Sequence, residues 1–211
     1  MTLHRRSLFA IPALLAPLAT TRAHAAATID TQAPLFTGTN SNGAQVSLAQ
    51  FAGSPVVLEW TNDGCPYVRK WYNSNAMQDL QRQAAAMGAA WLTIVSSSPG
   101  EQGHVDGRQA NDLTRTRNAA PAHVLLDPDG KIGRIYAAAV TPHMFIVNAA
   151  GKLVYAGGAD SIPSTRAEDI ARATPYVRDA LTALTALAAG KPIANPVTRA
   201  YGCTVKYRPQ A

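Results

Sequence analysis

The stretch around Cys65 constrains the fold more than any other part of the chain. A short apolar run, Val56-Val57-Leu58, follows Gly53-Ser54-Pro55 and predicts a buried strand. Asn62-Asp63-Gly64 has the composition of a turn, and Pro66 suits the first position of a helix, where its missing N–H leaves no hydrogen bond unmade. Cys65 is therefore predicted to lie between the end of a central strand and the start of a helix.

This position predicts a reactive cysteine. The unpaired N–H groups and the positive dipole end at a helix N-terminus favour a thiolate over a thiol, and the thiolate is the nucleophilic form. Arg69 and Lys70, one turn later, are expected to add positive potential. The alternative is an inert, buried cysteine, as most free cysteines are. The surrounding Asn-Asp-Gly-Cys-Pro turn favours the redox-active interpretation.

Residues 1–25 have the pattern of a secretory signal peptide. Arg5-Arg6 precedes an apolar run, Leu8 to Leu18, that is too short to span a bilayer, and Ala23-His24-Ala25 is a small-X-small cleavage site. The paired arginines also resemble a twin-arginine signal, so the general and twin-arginine export routes both stay open. We expect an exported protein, periplasmic or secreted, with no stable membrane insertion.

Charge and cysteine content narrow the possible partners. Removing residues 1–25 takes away three arginines and no acid, which lowers the formal net charge from +6 to +3. No basic patch is interleaved with aromatic residues, so we expect no nucleic-acid partner. The histidine spacing gives no set of metal ligands, and neither a metal nor a cofactor is expected. Both cysteines, Cys65 and Cys203, lie in the exported part, where an oxidising compartment permits them to pair.

Hydrophobic periodicity predicts an α/β fold, with a central mixed sheet and helices on both faces. Asn42-Gly43 between two apolar stretches predicts an N-terminal hairpin. Beyond the strand at 56–60, strands are predicted at 91–95, 123–126, 140–147 and 153–156, and helices at 66–72, 75–87, 108–117, 132–136 and 165–190. Capping boxes are predicted at Asn75 with Gln78 and at Thr165 with Glu168.

The predicted organisation is a leader, one domain and a tail. The leader is 1–25, the domain is 26–190, and the tail is 191–211, which carries Cys203. Within the domain, the polar segment 96–118 is interpreted as an insertion beside the active-site end of the sheet. The tail is too long and too apolar to be left unpacked, so we expect it to fold back and bring Cys203 to that end.

Several motifs together resemble one protein family. They are Ala33-Pro34-Leu35-Phe36, Val46-Ser47-Leu48, the strand into Cys65-Pro66, Leu126-Asp127-Pro128-Asp129-Gly130, and Thr141-Pro142 before Phe145-Ile146-Val147. From about Pro34 to about Ala156 the chain resembles the redoxins, the alkyl-hydroperoxide-reductase and thiol-specific-antioxidant group, and within it the peroxiredoxin-like branch. The segment Tyr201 to Tyr207 also resembles a tail found in such proteins. The resemblance implies a thioredoxin-like fold and thiol chemistry at Cys65.

The chain departs from the redox motifs of these relatives. Thioredoxins carry Cys-X-X-Cys, but Asn62 stands where the first cysteine is expected. Typical peroxiredoxins have Thr at that same position, Pro at the position of Leu58 and Arg at the position of Pro142, and Thr61 is one residue off. Because the missing Thr and Arg activate peroxide in that family, the resemblance implies slow peroxidase chemistry. Pro142 instead takes the place of the thioredoxin cis-proline, beside which a substrate chain can pair as an extra strand.

Three functions from different classes stay open. In the first, an exported thiol–disulfide oxidoreductase or antioxidant redoxin, Cys65 attacks a disulfide or a hydroperoxide and Cys203 resolves the product. Its partners would be protein thiols or disulfides, small hydroperoxides and an external thiol reductant. The second function is that of a peptide-binding module that has lost catalysis. The third is that of a copper or metal carrier, which would use Cys65 with His143 or His123.

The first function predicts a specific site. Its catalytic residues are Cys65 and Cys203. Its substrate-binding residues surround them in the fold: Thr61, Asn62, Pro66, Thr141 and Pro142. Whether the two cysteines pair depends on geometry, since bridged cysteines need Cα atoms within ~7 Å of each other.

Overall fold

The computed structural model describes residues 27–187 and 192–209. The predicted leader, 1–25, and the helix stop predicted at Gly190 lie outside the described residues. The strands are β1 (Thr37–Asn40), β2 (Gln45–Ser47), β3 (Val56–Trp60), β4 (Ala90–Val95), β5 (His123–Leu126), β6 (Val140–Thr141), β7 (His143–Val147), β8 (Leu153–Gly157) and β9 (Cys203–Thr204). The α-helices are α1 (Pro66–Asn73), α2 (Ala76–Ala86), α3 (Gly107–Thr116), α4 (Lys131–Ile135) and α5 (Tyr176–Leu187).

The central sheet places β3 between two neighbours of opposite direction. In the described residues its strand order is β2-β1-β5-β4-β3-β7-β8. β3 pairs parallel with β4 and antiparallel with β7, so the sheet is mixed, as predicted. Every residue of β3 is buried, which agrees with its nearly continuous apolar sequence.

The side chains of β3 alternate between two hydrophobic cores. Val57 packs in the core that contains Leu181 of α5 and residues of α1 and α2. Leu58 and Trp60 point to the opposite face and pack in the core that contains Ile132 of α4. Helices therefore cover both faces of the sheet, and the predicted α/β, thioredoxin-like architecture is confirmed.

Local turn and cap signals were less reliable than periodicity. Asn42-Gly43 does connect β1 to β2 as an antiparallel hairpin. The capping box predicted at Asn75 is wrong, because Asn75 has φ of 62° and makes no side-chain cap bond, whereas an N-cap has extended backbone. Gln78 is buried instead and donates to the carbonyl oxygens of Tyr72 and Arg117.

The capping box predicted at Thr165 is also wrong. The segment that follows is a 3-10 helix, Ala167–Arg172, whose N-cap is Arg166, and no side chain caps it. The Arg166 N–H is already bound by the Ser164 hydroxyl oxygen at 3.1 Å. The turn at Ser164 thus takes over the local hydrogen bonding, and α5 starts only at Tyr176.

The single strand predicted at 140–147 is two strands. Pro142 separates β6 from β7, and the two join different sheets: β6 pairs with β9, whereas β7 pairs with β3 and β8. A proline lacks the N–H that a continuous ladder needs, which explains the break. The result is a short strand whose edge faces the tail.

The tail folds back along the domain, first beside β8 and then beside β6. Its first part lies beside β8, where the Ala156 N–H donates to Pro196 O at 2.9 Å and the Thr198 N–H donates to Ala156 O at 3.1 Å. Further on, β9 pairs antiparallel with β6. Within the described part of the chain, no helix has the length and apolar character needed to cross a membrane.

Candidate active site

Cys65 lies where β3 gives way to α1, as predicted. It is the N-cap residue of α1, with φ of −81° and ψ of 122°, and Pro66 occupies the first helical turn. The Asn62 side-chain oxygen accepts the Gly64 N–H at 2.8 Å, and the Cys65 N–H donates to Asn62 O at 3.1 Å. These bonds define a tight loop that leaves the Cys65 side chain 0% exposed.

The insertion at 96–118 contacts this loop. The Gln102 side-chain amide donates to Gly64 O at 3.2 Å. The backbone carbonyl oxygen of Gln102 accepts from the Asn62 side-chain amide, also at 3.2 Å. Arg117 forms an ion pair with Asp63. The side chain of Asn62 is 1% exposed and engaged at both ends, so it organises the loop; its proposed contact with substrate stays a prediction.

The other two residues predicted for substrate binding on this loop point in different directions. The Thr61 side chain is buried, and its hydroxyl oxygen has no hydrogen-bond partner among the described residues. It lines a cleft shared with Tyr72 and Arg117, on the side of α3. Pro66 is exposed at the start of α1. A substrate contact at Thr61 or Pro66 stays a prediction.

The Thr141–Pro142 segment lies directly against the candidate nucleophile. The Thr141–Pro142 peptide bond is cis, as the resemblance implied. The Cys65 thiol donates to Thr141 O, with 3.2 Å between sulfur and oxygen. Thr141 is 2% exposed and Pro142 is also buried. Among the predicted substrate-binding residues, Thr141 is thus the one whose backbone carbonyl contacts the Cys65 sulfur, and a substrate contact at Thr141 or Pro142 stays a prediction.

The tail brings the second cysteine to the same place. Cys203 is paired with Thr141 in the β6–β9 ladder, and the Thr141 hydroxyl donates to Cys203 O at 3.3 Å. The Cys203 side chain packs against the hydrophobic cluster that contains Cys65, and the two cysteines lie close enough to shift each other's pKa. Both cysteines are unbridged in this structure. Two residues far apart in sequence therefore meet as neighbouring thiols.

The surroundings shift the pKa values of the two thiols in opposite directions. Burial alone would raise the pKa of Cys65. Interactions with the side chains of Cys203 and Thr141 and with backbone N–H groups stabilise the thiolate, outweigh burial and leave the pKa below its ordinary value. Burial raises the pKa of Cys203 to about 11, and its hydrogen bond to Cys65 adds to the rise. Cys65 is thus the thiol that ionises first.

The positive potential expected from Lys70 is offset by a buried carboxylate, which corrects that half of the expectation for Arg69 and Lys70. The Lys70 side chain is 0% exposed and its ammonium lies 3.1 Å from an Asp160 carboxylate oxygen, which offsets its charge. Lys70 also donates to the Tyr201 hydroxyl oxygen at 2.9 Å, and the Tyr201 hydroxyl donates to Asp160. Arg69 donates to a backbone carbonyl of the loop. We call Lys70, Asp160 and Tyr201 the tail latch.

Sequence reasoning did not identify the tail latch. Tyr201 was part of the tail motif, but Asp160 belongs to no motif, and no spacing rule connects either residue to Lys70. One available signal was Lys70 itself, which lies beside the buried residues Trp71 and Tyr72 in α1. A lysine on the buried side of a helix requires a partner, since an unpaired buried charge is costly.

A buried carboxylate also lies on β3, beneath α1. Glu59 is 0% exposed and accepts hydrogen bonds from Trp91 Nε1 at 2.8 Å, the Tyr72 hydroxyl at 2.9 Å and the Thr93 hydroxyl at 3.1 Å. Burial raises the pKa of Glu59, although these hydrogen bonds partly oppose the rise. The charged residue in an otherwise apolar strand was the sequence signal. Its contacts fasten β3 to β4 and α1.

The histidines considered as metal ligands have other partners. His143 Nδ1 accepts the Ala139 N–H at 3.3 Å, and burial lowers the pKa of His143 to about 4. His123 Nδ1 lies 3.4 Å from the Asn40 side-chain amide. Across residues 27–187 and 192–209, no three His, Cys, Asp or Glu side chains are grouped closely enough to hold a metal ion.

Known structures share this architecture at low sequence identity. An uncharacterized conserved protein from Geobacillus kaustophilus superposes with a TM-score of 0.72 and 24% identity, over 87% of this chain and 94% of that chain. A hypothetical protein from Sinorhizobium meliloti 1021 superposes with a TM-score of 0.73 and 21% identity, over 88% of this chain and 98% of that chain. Identities this low establish the fold alone. No curated protein matches the chain at a significant level.

A protein-family model assigns the chain to a family, which the structural similarities alone do not. The AhpC/TSA family model matches residues 29–156, which is more than half of the chain. The match begins before β1, includes the Cys65 loop and Thr141–Pro142, and ends in β8. It therefore covers the segment that the motifs had singled out, but not the tail that carries Cys203. The chain belongs to the AhpC/TSA family.

Proposed function

We propose that the protein is an exported thiol–disulfide oxidoreductase or antioxidant redoxin that uses Cys65 as its nucleophile and Cys203 as its resolving cysteine. One observation carries the proposal: the Cys65 thiol at the start of α1, whose pKa is lowered, bonds to Thr141 O, and the tail places Cys203 opposite the same Thr141. Membership of the AhpC/TSA family supports thiol chemistry. Export, to the periplasm or beyond, is proposed from residues 1–25 alone.

With a disulfide substrate, two exchange steps follow. The Cys65 thiolate attacks one substrate sulfur, a mixed disulfide forms, and the other substrate sulfur leaves as a thiolate. Cys203 then loses its proton and attacks the Cys65 sulfur, which forms Cys65–Cys203 and releases the second substrate thiol. The substrate is reduced by two electrons and the protein is oxidised by two. An external thiol reductant returns the two cysteines to their reduced state.

With a hydroperoxide, the same cysteines act through a sulfenic acid. The Cys65 thiolate attacks the terminal peroxide oxygen, the O–O bond breaks, and the alkoxide takes a proton to leave as an alcohol. Cys203 condenses with the sulfenic acid to give the disulfide and water. We expect this route to be slow, because Asn62 and Pro142 stand where the family's peroxide-activating Thr and Arg are found. Disulfide exchange is the favoured activity.

A non-reducing peptide map of the oxidised protein tests the proposal. We expect brief treatment of the reduced protein with a small disulfide to produce a peptide pair linked through Cys65 and Cys203. Cys203→Ser should instead retain the substrate as a mixed disulfide on Cys65. Hydrogen peroxide at the same concentration should give the same linkage more slowly. Absence of a Cys65–Cys203 pair, with unchanged behaviour of Cys203→Ser, would remove Cys203 as the resolving residue.

One observation favours a second function. Cys65 is fully buried and the tail strand β9 pairs with β6 beside it, an arrangement that also suits a peptide-binding module without catalysis. The two functions differ in their dependence on the thiol. If Cys65→Ser binds polypeptides as the wild type does, and no thiol-dependent turnover is found, the module is the correct description.

A further inference from the structure

Strand β9 occupies a position at which a separate polypeptide could bind. The edge of β6 beside Cys65 can accept an extended chain through backbone hydrogen bonds. The chain's own tail uses this edge: Val140 pairs with Thr204 and Thr141 pairs with Cys203. The Val205 N–H continues the contact with Ala139 O at 3.0 Å. A second strand cannot pair with the same edge while β9 is in place.

The pairing between β6 and β9 is closely packed at Gly202, the residue before Cys203. Gly202 has φ of +144°, and a Cβ atom built there would overlap the Thr141 carbonyl oxygen and its carbon. No other residue can therefore sit next to this carbonyl without moving the strand. The edge of β6 thus selects for glycine at the position immediately before the residue that lies opposite Thr141.

The tail latch holds the strand from its N-terminal side. The Tyr201 hydroxyl contacts both the Lys70 ammonium and the Asp160 carboxylate, and the Tyr201 ring packs edge-on against Tyr67 with 5.7 Å between ring centroids. Lys70 and Asp160 are fully buried, so each requires the other as a partner, unlike the members of a solvent-exposed ion pair. Tyr201 thus ties the residue before Gly202 to two buried charged groups of the domain.

We propose that residues 201–205 are an internal copy of the substrate strand, and that the edge of β6 binds extended polypeptides carrying Gly-Cys, with the cysteine in a disulfide. Such a substrate displaces the tail, its glycine passes the Thr141 carbonyl, and its cysteine sulfur takes the place of Cys203 beside Cys65. The proposal rests on the proposed function for Cys65 as the reacting group. It adds the substrate class and names Gly202 and Tyr201 as positioning residues.

Alkylation of Cys65 tests whether the tail covers it. In a Cys203→Ser background, Gly202→Val should unseat β9, and the rate of Cys65 alkylation by a small reagent should rise by more than tenfold. Tyr201→Phe, which keeps the ring and loses the hydroxyl, should raise the rate by about tenfold, since hydrogen bonds to charged groups are among the stronger ones. Thr204→Val is the matched control, because Thr204 is exposed in the same strand; its rate should not change.

Peptides added in trans test the glycine requirement. A synthetic peptide of residues 199–208, with Ser in place of Cys203, should restore protection of Cys65 in the Gly202→Val protein. The same peptide with Val in place of Gly202 should give at least tenfold weaker protection. If Gly202→Val fails to fold, as circular dichroism would show, the Tyr201→Phe protein takes its place in the same comparison.

Two outcomes overturn the inference, and neither depends on turnover. One is an alkylation rate in Gly202→Val or Tyr201→Phe no greater than that in Thr204→Val. The other is equal protection by the glycine and valine peptides. Because alkylation and protection need no redox cycle, a protein that shows both effects but transfers no electrons would retain the binding site and lose the proposed enzymatic function.

Discussion

Residues 29–156, which the family model covers, and residues 192–209 of the tail are held in place by different kinds of contact. In the family region, β3 is buried throughout and pairs along its whole length with β4 and β7. The tail adds the two-residue strand β9 and a few scattered backbone hydrogen bonds, such as those beside β8, and individual side chains supply its other contacts. The Thr198 and Tyr155 hydroxyls share a hydrogen bond. Within the latch the Tyr201 hydroxyl donates to Asp160, and the Tyr207 hydroxyl donates to Ala138 O.

This difference divides the proposed chemistry between a fixed part and a part that can move. Cys65 is anchored by the sheet and by α1, and its pKa is lowered. Cys203 is carried by the tail, and its pKa is raised to about 11. A segment held by few contacts opens at a lower free energy than a core strand does. In the proposed mechanism, Cys65 would thus stay in place as the attacking thiol, and Cys203 would move away with the tail to admit a substrate.

The largest expected effect separates the two cysteines. Cys65→Ser should abolish all thiol-dependent turnover of a disulfide substrate, because no other described thiol has a lowered pKa. Cys203→Ser should keep the first exchange step and lose multiple turnover unless an external thiol resolves the mixed disulfide. Initial burst and steady-state rates measure the two steps separately. Equal loss of the burst in both variants would show that the division is wrong.

The same contrast explains how far the sequence could predict the molecule. Periodicity placed the core strands closely, and β5 (His123–Leu126) has the bounds predicted for it. Such patterns work because each core residue faces a continuous apolar environment. The capping boxes at Asn75 and Thr165 failed because other contacts took over the hydrogen bonds, a local turn at Ser164 in the second case and a distant partner in the first. The burial of Gln78 against Arg117 O is one such contact.

The candidate site was predictable in part for the same reason. Cys65 and Pro142 lie in motifs whose local sequence specifies a turn and a strand start. Cys203 was placed near Cys65 only as a hypothesis about the tail. The partners that hold it there, Tyr201 with Lys70 and Asp160, are separated in sequence by intervals of 41 to 131 residues. A contact between single side chains over such intervals leaves no periodic signal.

The next largest effect concerns the latch between the two regions. Asp160→Asn leaves the Lys70 ammonium buried without an opposite charge, and breaking such a pair costs ~3–5 kcal/mol of unfolding free energy. The matched control is Asp79→Asn, whose partner Arg82 is 45% exposed and whose ion pair contributes ~0–1 kcal/mol. Urea unfolding of both variants provides the comparison. Similar losses in the two would show that the latch adds no more than a surface pair.

A smaller effect concerns the influence of Cys203, in the tail, on the pKa of Cys65. Among the interactions that lower the pKa of Cys65, the one with the Cys203 side chain contributes most. Cys203→Ala removes this donor, so the pKa of Cys65 should rise and less thiolate should be present at neutral pH. Cys203→Ser retains an O–H donor and should keep the lowered pKa. Titration of the ultraviolet absorbance of the thiolate measures both variants without requiring access to Cys65.

The direction of the change in the Cys65 pKa decides whether Cys203 stabilises the thiolate. A donor to the sulfur stabilises the charged form, so its removal moves the thiolate titration to higher pH. If Cys203→Ala and Cys203→Ser titrate at the same pH, the Cys203 contact does not lower the pKa, and the helix start with Thr141 must account for all of it.

The smallest effect tests a tail contact that is distant from the latch. Tyr207 donates from its hydroxyl to Ala138 O at 2.7 Å, and its ring stacks on the Arg134 guanidinium at 4.6 Å. Tyr207→Phe removes the hydrogen bond and keeps the ring, so the unfolding free energy should fall by only ~0.5–1.5 kcal/mol. Cys65 alkylation should change far less than in Tyr201→Phe, because the latch and the glycine contact at Thr141 remain. If Tyr207→Phe instead exposes Cys65 as strongly as Tyr201→Phe does, the tail opens as one unit, and the latch is only one of several equivalent ties.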